Sequence, residues 1–209
     1  TELAFAAGAG GQLVGVSAYS DFPSSAQALP KVADAAGVAW ESLLALGPDV
    51  VLVWRSGTRQ ADIARLQTLG LRVATIDISA LRDVAPALRK IGLLAGTEAT
   101  AEAAARRFDA QVASLRSANA GKSVVTTFFD VSTKPLMTVN GRHVISEMIA
   151  LCGGMNVFAD APSLVPEPSL EELAVRNPMA ILYGASPAAP RDRAGVTYAA
   201  IANFRPDRL

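Results

Sequence analysis

Three shortages narrow the field before any motif is considered. The chain of 209 residues has a single cysteine, Cys152, and a single histidine, His143. One cysteine makes no internal disulfide; it reads as a small buried apolar residue, or as half of a bridge to a partner outside this stretch. One histidine, with no cysteine at ligand spacing, supports neither a metal site nor a hydrolytic triad, and a surface or capping role is expected for it. Charge of one sign is also lacking. Lys+Arg and Asp+Glu both number 19, so the basic excess that nucleic-acid binding requires is missing.

Long apolar runs are absent too. A stretch such as Val50 to Trp54 falls far short of the roughly 20 residues that span a bilayer. Yet 51% of the residues are hydrophobic and only 18% are charged, which argues against a disordered chain. The opening Thr1-Glu2-Leu3-Ala4-Phe5 reads as the cap and first turn of a helix with nothing before it, and the chain is expected to be truncated at both ends.

Short β-branched runs alternate with helical patterns throughout, the rhythm of a parallel α/β sheet. Leu13 to Val16, Asp49 to Trp54, Leu71 to Ile76, Ser123 to Phe129 and Met179 to Tyr183 read as strands. The second is an unbroken apolar run suited to burial on both faces. Arg59 to Leu69 places Ile63, Leu66 and Leu69 on one helical face, and Gly70 stops it. Arg142 to Leu151 reads as a helix closed by Gly153-Gly154. Thr97 to Ala118 is the longest helical pattern, with Ala101, Ala104, Ala105, Phe108, Val112 and Leu115 on one face. At about 1.5 Å per residue it would reach some 30 Å, enough to join two lobes. The expected division is an N-terminal α/β lobe over 1–96, an interlobe helix over 97–119 and a C-terminal α/β lobe over 120–209.

Both halves carry one local pattern. Glu41-Ser-Leu-Leu-Ala-Leu-Gly-Pro48 leads into the strand ending at Trp54, and Glu171-Glu-Leu-Ala-Val-Arg-Asn-Pro178 leads into the strand ending at Tyr183. In each, seven residues separate the glutamate from a proline that cannot extend the helix. A solvated carboxylate at a helix start explains either glutamate alone; their equal placement marks the lobes as related.

Signals for catalysis are weak. Gly8-Ala9-Gly10-Gly11 follows a helical segment and precedes a strand, the reverse of a dinucleotide loop, so a helix cap and turn is expected. Asp77 and Asp130 sit at strand ends, where a turn or cap role suffices. The polar-aromatic loops after strands are more informative: Tyr19-Ser20-Asp21-Phe22-Pro23 and Trp54-Arg55-Ser56-Gly57. Ligands of open α/β sheets gather beyond the carboxyl ends of strands. There an aromatic ring covers an apolar ligand face, although capping the core is an equal reading of Tyr19 and Trp54.

The segments SAYSDFP (17–23), ESLLALGPDVVLVWRSG (41–57), LQTLGLRV (66–73) and MIALCGGMNVF (148–158) resemble the substrate-binding proteins of ABC importers for haem, siderophores and cobalamin, the cobalamin branch in particular. The resemblance runs to about residue 184. It implies two Rossmann-like lobes with parallel sheets, joined by one long helix, with cobalamin (vitamin B12) or a related corrinoid held in the interlobe cleft. It implies a periplasmic, non-enzymatic monomer without cofactor or metal that hands its cargo to the membrane permease. Tyr19 and Trp54 match ligand-contacting aromatics, Met137 stands where another pocket aromatic would be expected, and Asp207 matches a ligand-contacting position. Glu41 and Glu171 match the acidic residues that dock onto the transmembrane subunits, and a cysteine beyond residue 209 would pair with Cys152. Ala35, Met137 and the Pro166–Pro168 stretch lack aromatics of the family pattern. On the same scaffold a haem carrier would need an axial Tyr19 or His143, and a ferric-siderophore carrier would use arginines such as Arg55, Arg59 and Arg142. A nucleotide-dependent α/β enzyme is the remote alternative.

Overall fold

The computed structural model describes residues 1–55 and 57–183. In chain order the elements are α1 (Glu2–Ala6), β1 (Val16–Ser17), α2 (Ser24–Gln27), β2 (Lys31–Ala33), α3 (Trp40–Ala45), β3 (Val51–Trp54), α4 (Gln60–Thr68), β4 (Val73–Ile76), α5 (Val84–Ala95), α6 (Glu98–Asn119), β5 (Val125–Asp130), β6 (Ser132–Thr133), β7 (Leu136–Met137), α7 (Val144–Leu151), β8 (Gly154–Asn156), α8 (Leu170–Arg176) and β9 (Ala180–Tyr183). Among the described residues every pairing except the short β6–β7 hairpin and one isolated bridge is parallel. The α/β class with parallel sheets is thus what the sequence rhythm indicated. Two compact units divide between Ala110 and Gln111, within α6.

In the first unit β3 and β4 run side by side from Val51↔Val73 to Trp54↔Ile76. Alternation of side chains sends Val53 to one face and Leu52 to the other. Val53 packs with Leu43 of α3 and with Ile63 and Leu66 of α4. Leu52 and Ile76 meet the opposite cluster, built from Ala4 of α1 and its C-cap Ala7, Ala85, Leu88 and Ile91 of α5, and Ala101, Ala104 and Ala105 of α6. Small residues let these helices approach closely. A Cβ on Gly92 would lie 2.3 Å from that of Ala101, so α5 and α6 touch where glycine stands.

The second unit has the order β8-β5-β9. Phe128 of β5 is fully buried and meets Phe158 edge-on, ring centroids 5.7 Å apart, with Leu173 of α8 and Ile181 of β9 completing the cluster. Beneath α7 lies a polar hub: Asn156 Nδ2 donates to Val139 O and Ser146 Oγ, both at 2.7 Å, and Asn156 Oδ1 accepts from Phe158 N at 2.9 Å. Asn140 fixes the neighbouring loop by donating to Ala161 O and accepting from Arg142 N. Each buried side-chain amide is therefore satisfied mainly by backbone, which makes the loop geometry specific.

Several sequence expectations need correction. Leu13 to Val16 is not a strand: Gly10–Gln12 forms a 3₁₀ turn, and pairing begins only at Val16, whose N–H bonds Pro30 O. Leu69 and Leu115, placed by periodicity on the apolar faces of their helices, are exposed, because α4 has already ended and the second half of α6 leaves the alanine core. Gly154 does not close α7 but opens β8, the stop being Gly153 at φ 85°. The run before Trp54 is only partly buried, with Val53 alone fully enclosed. Cys152 is exposed. It occupies the C-cap of α7, where its backbone N–H closes the last turn and Ile149 takes the inward face.

Candidate functional site

The β1 strand ends at Ser17, and the following loop is tied down by its serine. Ser20 is buried, its N–H donates to Ser17 O, and its Oγ lies 3.1 Å from Ser17 Oγ and 2.5 Å from Thr1 Oγ1. With Ser20 turned inward, its neighbours Tyr19 and Phe22 are left outside, 72% and 64% exposed. Glu2, Tyr19, Asp21 and Phe22 border an open hollow of about 220 Å³. Rings of this size left in water forgo the favourable transfer that burial would give them.

At the carboxyl end of β3, Trp54 is 57% exposed. The ladder continues one residue further through Arg55 N–H to Ile76 O at 3.1 Å. Arg55 then faces Asp77 beyond β4, Nε to Oδ2 3.9 Å, in a solvent-exposed pair. Tyr19 and Trp54 thus lie on the same unit, Tyr19 just beyond the carboxyl end of β1 and Trp54 as the last residue of β3, and each is exposed, so neither caps the core. Phe22 joins them as an exposed aromatic that periodicity could not single out. Ala35 stands at the tip of the β2 turn, where Asp34 Oδ1 accepts from Ala36 N and Gly37 N.

The three arginines considered for an anionic siderophore all have partners, Arg55 the most loosely, in its exposed 3.9 Å pair with Asp77. Arg59 grips Asp62 through Nε at 2.7 Å, and Arg142 Nη2 donates to Pro162 O at 2.6 Å. His143 is the N-cap of α7: its Nδ1 accepts from Ile145 N at 3.2 Å, and partial burial lowers its pKa, favouring the neutral form that can accept. The capping role expected of it is what the structure has.

On the second unit Met137 is half-buried in β7, where its carbonyl accepts from Val131 N. Thr138 and Asn140 beyond it pair with Pro166 and Leu164. An open hollow of about 210 Å³ lies among Phe158, Asp160, Pro162, Pro166 and Arg176. Arg176 sits over the Phe158 ring at 4.3 Å, bonds Val157 O, and pairs with Asp160 at 2.6 Å and Glu172 at 3.2 Å. That arginine clasps the strand–helix connection and lines the hollow. Asp207 lies outside the described residues. Among the described residues no group of His, Cys, Asp and Glu is placed to hold a metal ion, and no helix is long and apolar enough to cross a membrane.

The two glutamates occupy equivalent local positions. Glu41 and Glu171 are both exposed in the first turns of α3 and α8, and two residues on, Leu43 and Leu173 are both buried. Six residues after each glutamate the chain turns left-handed, Gly47 at φ 55° and Asn177 at φ 42°, before the proline and the strand. The spacing read from the sequence is therefore a repeated fold element, with a carboxylate held outward at each helix start.

Comparison with known proteins agrees with this architecture. The family described as "Periplasmic binding protein" matches residues 1–199. A "Vitamin B12-binding protein" of Pectobacterium carotovorum subsp. carotovorum (strain PC1) is 36% identical over 189 residues, covering 90% of this chain and 68% of the relative. One from Yersinia pestis (strain Pestoides F) is 40% identical over 182 residues, covering 87% and 65%. The chain spans about two thirds of the length of these relatives. The crystal structure of the periplasmic vitamin B12 binding protein BtuF of Vibrio cholerae superposes with a TM-score of 0.81 at 33% identity, covering 88% of this chain and 72% of that one. Parallel α/β units, the twinned glutamate-to-proline elements and a family match over nearly the whole length converge: the chain belongs to the periplasmic binding protein family.

Proposed function

We propose that this chain is the ligand-capturing part of a periplasmic binding protein that takes up cobalamin or a related corrinoid and delivers it to the permease of an ABC importer. The observation that carries the reading is the pair of exposed aromatics, Tyr19 and Trp54, at the carboxyl ends of parallel strands in a chain 36–40% identical to vitamin B12-binding proteins. A corrinoid offers a broad, mostly apolar face, and burying exposed rings against it provides both driving force and orientation. Tyr19 and Trp54 supply that contact on the first unit. Met137 and Asp207 are the corresponding expectations on the remainder of the chain.

Such a protein works by holding and handing over, with no bond made or broken. Glu41 and Glu171 are its delivery contacts: each presents an exposed carboxylate to cationic side chains of the permease, setting orientation and encounter rate more than affinity. Their burden is electrostatic, so charge reversal at either one lowers delivery while leaving capture intact.

Titration of the full-length protein with cyanocobalamin by isothermal calorimetry tests the reading. Saturable 1:1 binding, weakened by Tyr19→Ala and by Trp54→Ala, is expected; absence of heat and of thermal stabilisation would sink it. Haem is the second reading, favoured by the free phenol of Tyr19 as an axial ligand. A Soret shift on mixing with haemin, lost in Tyr19→Phe, would select it.

A further inference from the structure

Trp54 and Gly57 are joined twice. Gly57 N–H donates to Trp54 O at 3.1 Å, closing a tight turn at the end of β3. The indole also lies directly against the glycine: a Cβ added at Gly57 would sit 2.5 Å from Trp54 Cε3, 3.0 Å from Cζ3 and 3.2 Å from Cδ2. Those separations are below van der Waals contact, so any side chain at residue 57 displaces the ring. The backbone itself does not call for glycine, since Gly57 is not among the glycines at positive φ. What requires a missing side chain here is the ring.

The displaced ring would also move cheaply. Trp54 is 57% exposed and belongs to neither core cluster of its unit, so swinging it outward opens no cavity. Stability and ring orientation are therefore separable at this turn. A planar side chain that is held still before the ligand arrives loses less freedom on binding, which is the usual source of affinity from preorganisation.

We infer that Gly57 is a positioning residue for ligand recognition: its bare Cα is the shelf on which the Trp54 indole rests, one face down and the other presented to a flat apolar ligand surface. The inference rests on the reading of Trp54 as a ligand contact, and deepens it by naming what sets the ring plane. Gly57 need not touch the ligand.

The test uses the full-length protein and cyanocobalamin. Gly57→Ala is expected to weaken binding by about 3- to 10-fold, the worth of one well-placed aromatic contact, with the melting temperature unchanged within about 2 °C. On a Trp54→Ala background the same substitution should cause no further loss, as two changes acting through one ring are not additive. Wild-type affinity in Gly57→Ala, undiminished loss on the Trp54→Ala background, or a melting temperature that falls with the affinity would each overturn the inference.

A ligand-free measurement separates this idea from the functional reading. Trp40 is the other tryptophan, packed in the first unit's core with Arg65 4.4 Å from its ring. In a Trp40→Phe background the emission of Trp54 alone is observed, and Gly57→Ala should change its anisotropy and its quenching by acrylamide. Unchanged emission overturns the positioning role even if cyanocobalamin binds. Absence of cyanocobalamin binding by the wild type, with the emission change present, overturns the corrinoid reading and leaves the shelf standing.

Discussion

The segment from Glu41 to Pro48 begins on Ala39, which offers the helix no side-chain acceptor, and ends on Gly47; the segment from Glu171 to Pro178 begins on Ser169, whose Oγ accepts from Glu172 N at 3.1 Å, and ends on Asn177. Both nevertheless bury the leucine two residues after the glutamate and feed a parallel strand through a left-handed turn. The shared parts are those that fix where the helix lies, namely one inward leucine and one reversal. The parts that differ are caps, which adjust energy by about a kilocalorie without moving the helix. A carboxylate can be held outward at both places while its surroundings diverge.

The largest test of that equivalence is removal of the anchors. Leu43 is 5% exposed and Leu173 is fully buried against Phe128, Phe158 and Ile181. Leu173→Ala is expected to cost about 3–5 kcal/mol and Leu43→Ala about 2–4, in the range for buried leucines that leave cavities. Chemical denaturation of each variant measures this. If either costs under about 1 kcal/mol, the leucine is not what seats the helix, and the two elements are alike only in outline.

Next come the turns. Gly47 is left-handed with nothing within 4 Å of where a Cβ would lie, so Gly47→Ala carries only the backbone penalty, about 1–2 kcal/mol. Asn177 adopts the same region with a side chain that tolerates it better than most. Asn177→Ala should therefore lose about as much as Gly47→Ala, while Asn177→Gly should be close to neutral. Melting curves of the three variants decide. A destabilising Asn177→Gly would show that the amide does more than tolerate the turn.

How much of this was legible in the sequence depends on what kind of force was at work. Leu43 and Leu173, the prolines and the strand runs obey spacing, and spacing can be read from a string; so could the alanine face of α6, where Ala101, Ala104 and Ala105 are all buried. The same face failed at Leu115, because periodicity says which residues share a side and nothing about whether a partner covers it. Tyr19 and Trp54 were legible as aromatics at strand ends, but the settings that hold them were not: Tyr19 sits beside the buried hydroxyl of Ser20, and the Trp54 ring lies against Gly57, where a side chain is absent. The Asn140, Ser146 and Asn156 hub left no trace at all. Its residues are scattered, polar, and bonded to carbonyls of distant turns, and only the folded chain shows that they share a site. Cys152 was misplaced for a related reason: apolar character predicts burial on average, while a C-cap position faces outward.

The caps give the smallest and most particular prediction. Ser169→Ala removes the acceptor for Glu172 N and should cost about 1 kcal/mol, whereas Ala39→Ser supplies a missing one and should gain about 0.5 kcal/mol. The carboxyl of Glu171 reports the same event. Its pKa is lowered first by a bond from its own backbone N–H and second by Ser169, so Ser169→Ala should raise it part of the way back, and NMR titration of that carboxyl reads the change. The sign follows from linkage. A carboxylate with a depressed folded-state pKa binds fewer protons folded than unfolded, so its contribution is present above the ordinary value of 4.5 and is lost as pH falls through the folded value below it. Between those limits the wild type should lose stability on acidification more steeply than Ser169→Ala. Equal slopes would mean that Ser169 caps α8 without sensing the charge beside it. The glutamate-to-proline elements would then differ in packing detail alone, and the exposed carboxylate at each helix start would owe its placement to the leucine beneath it.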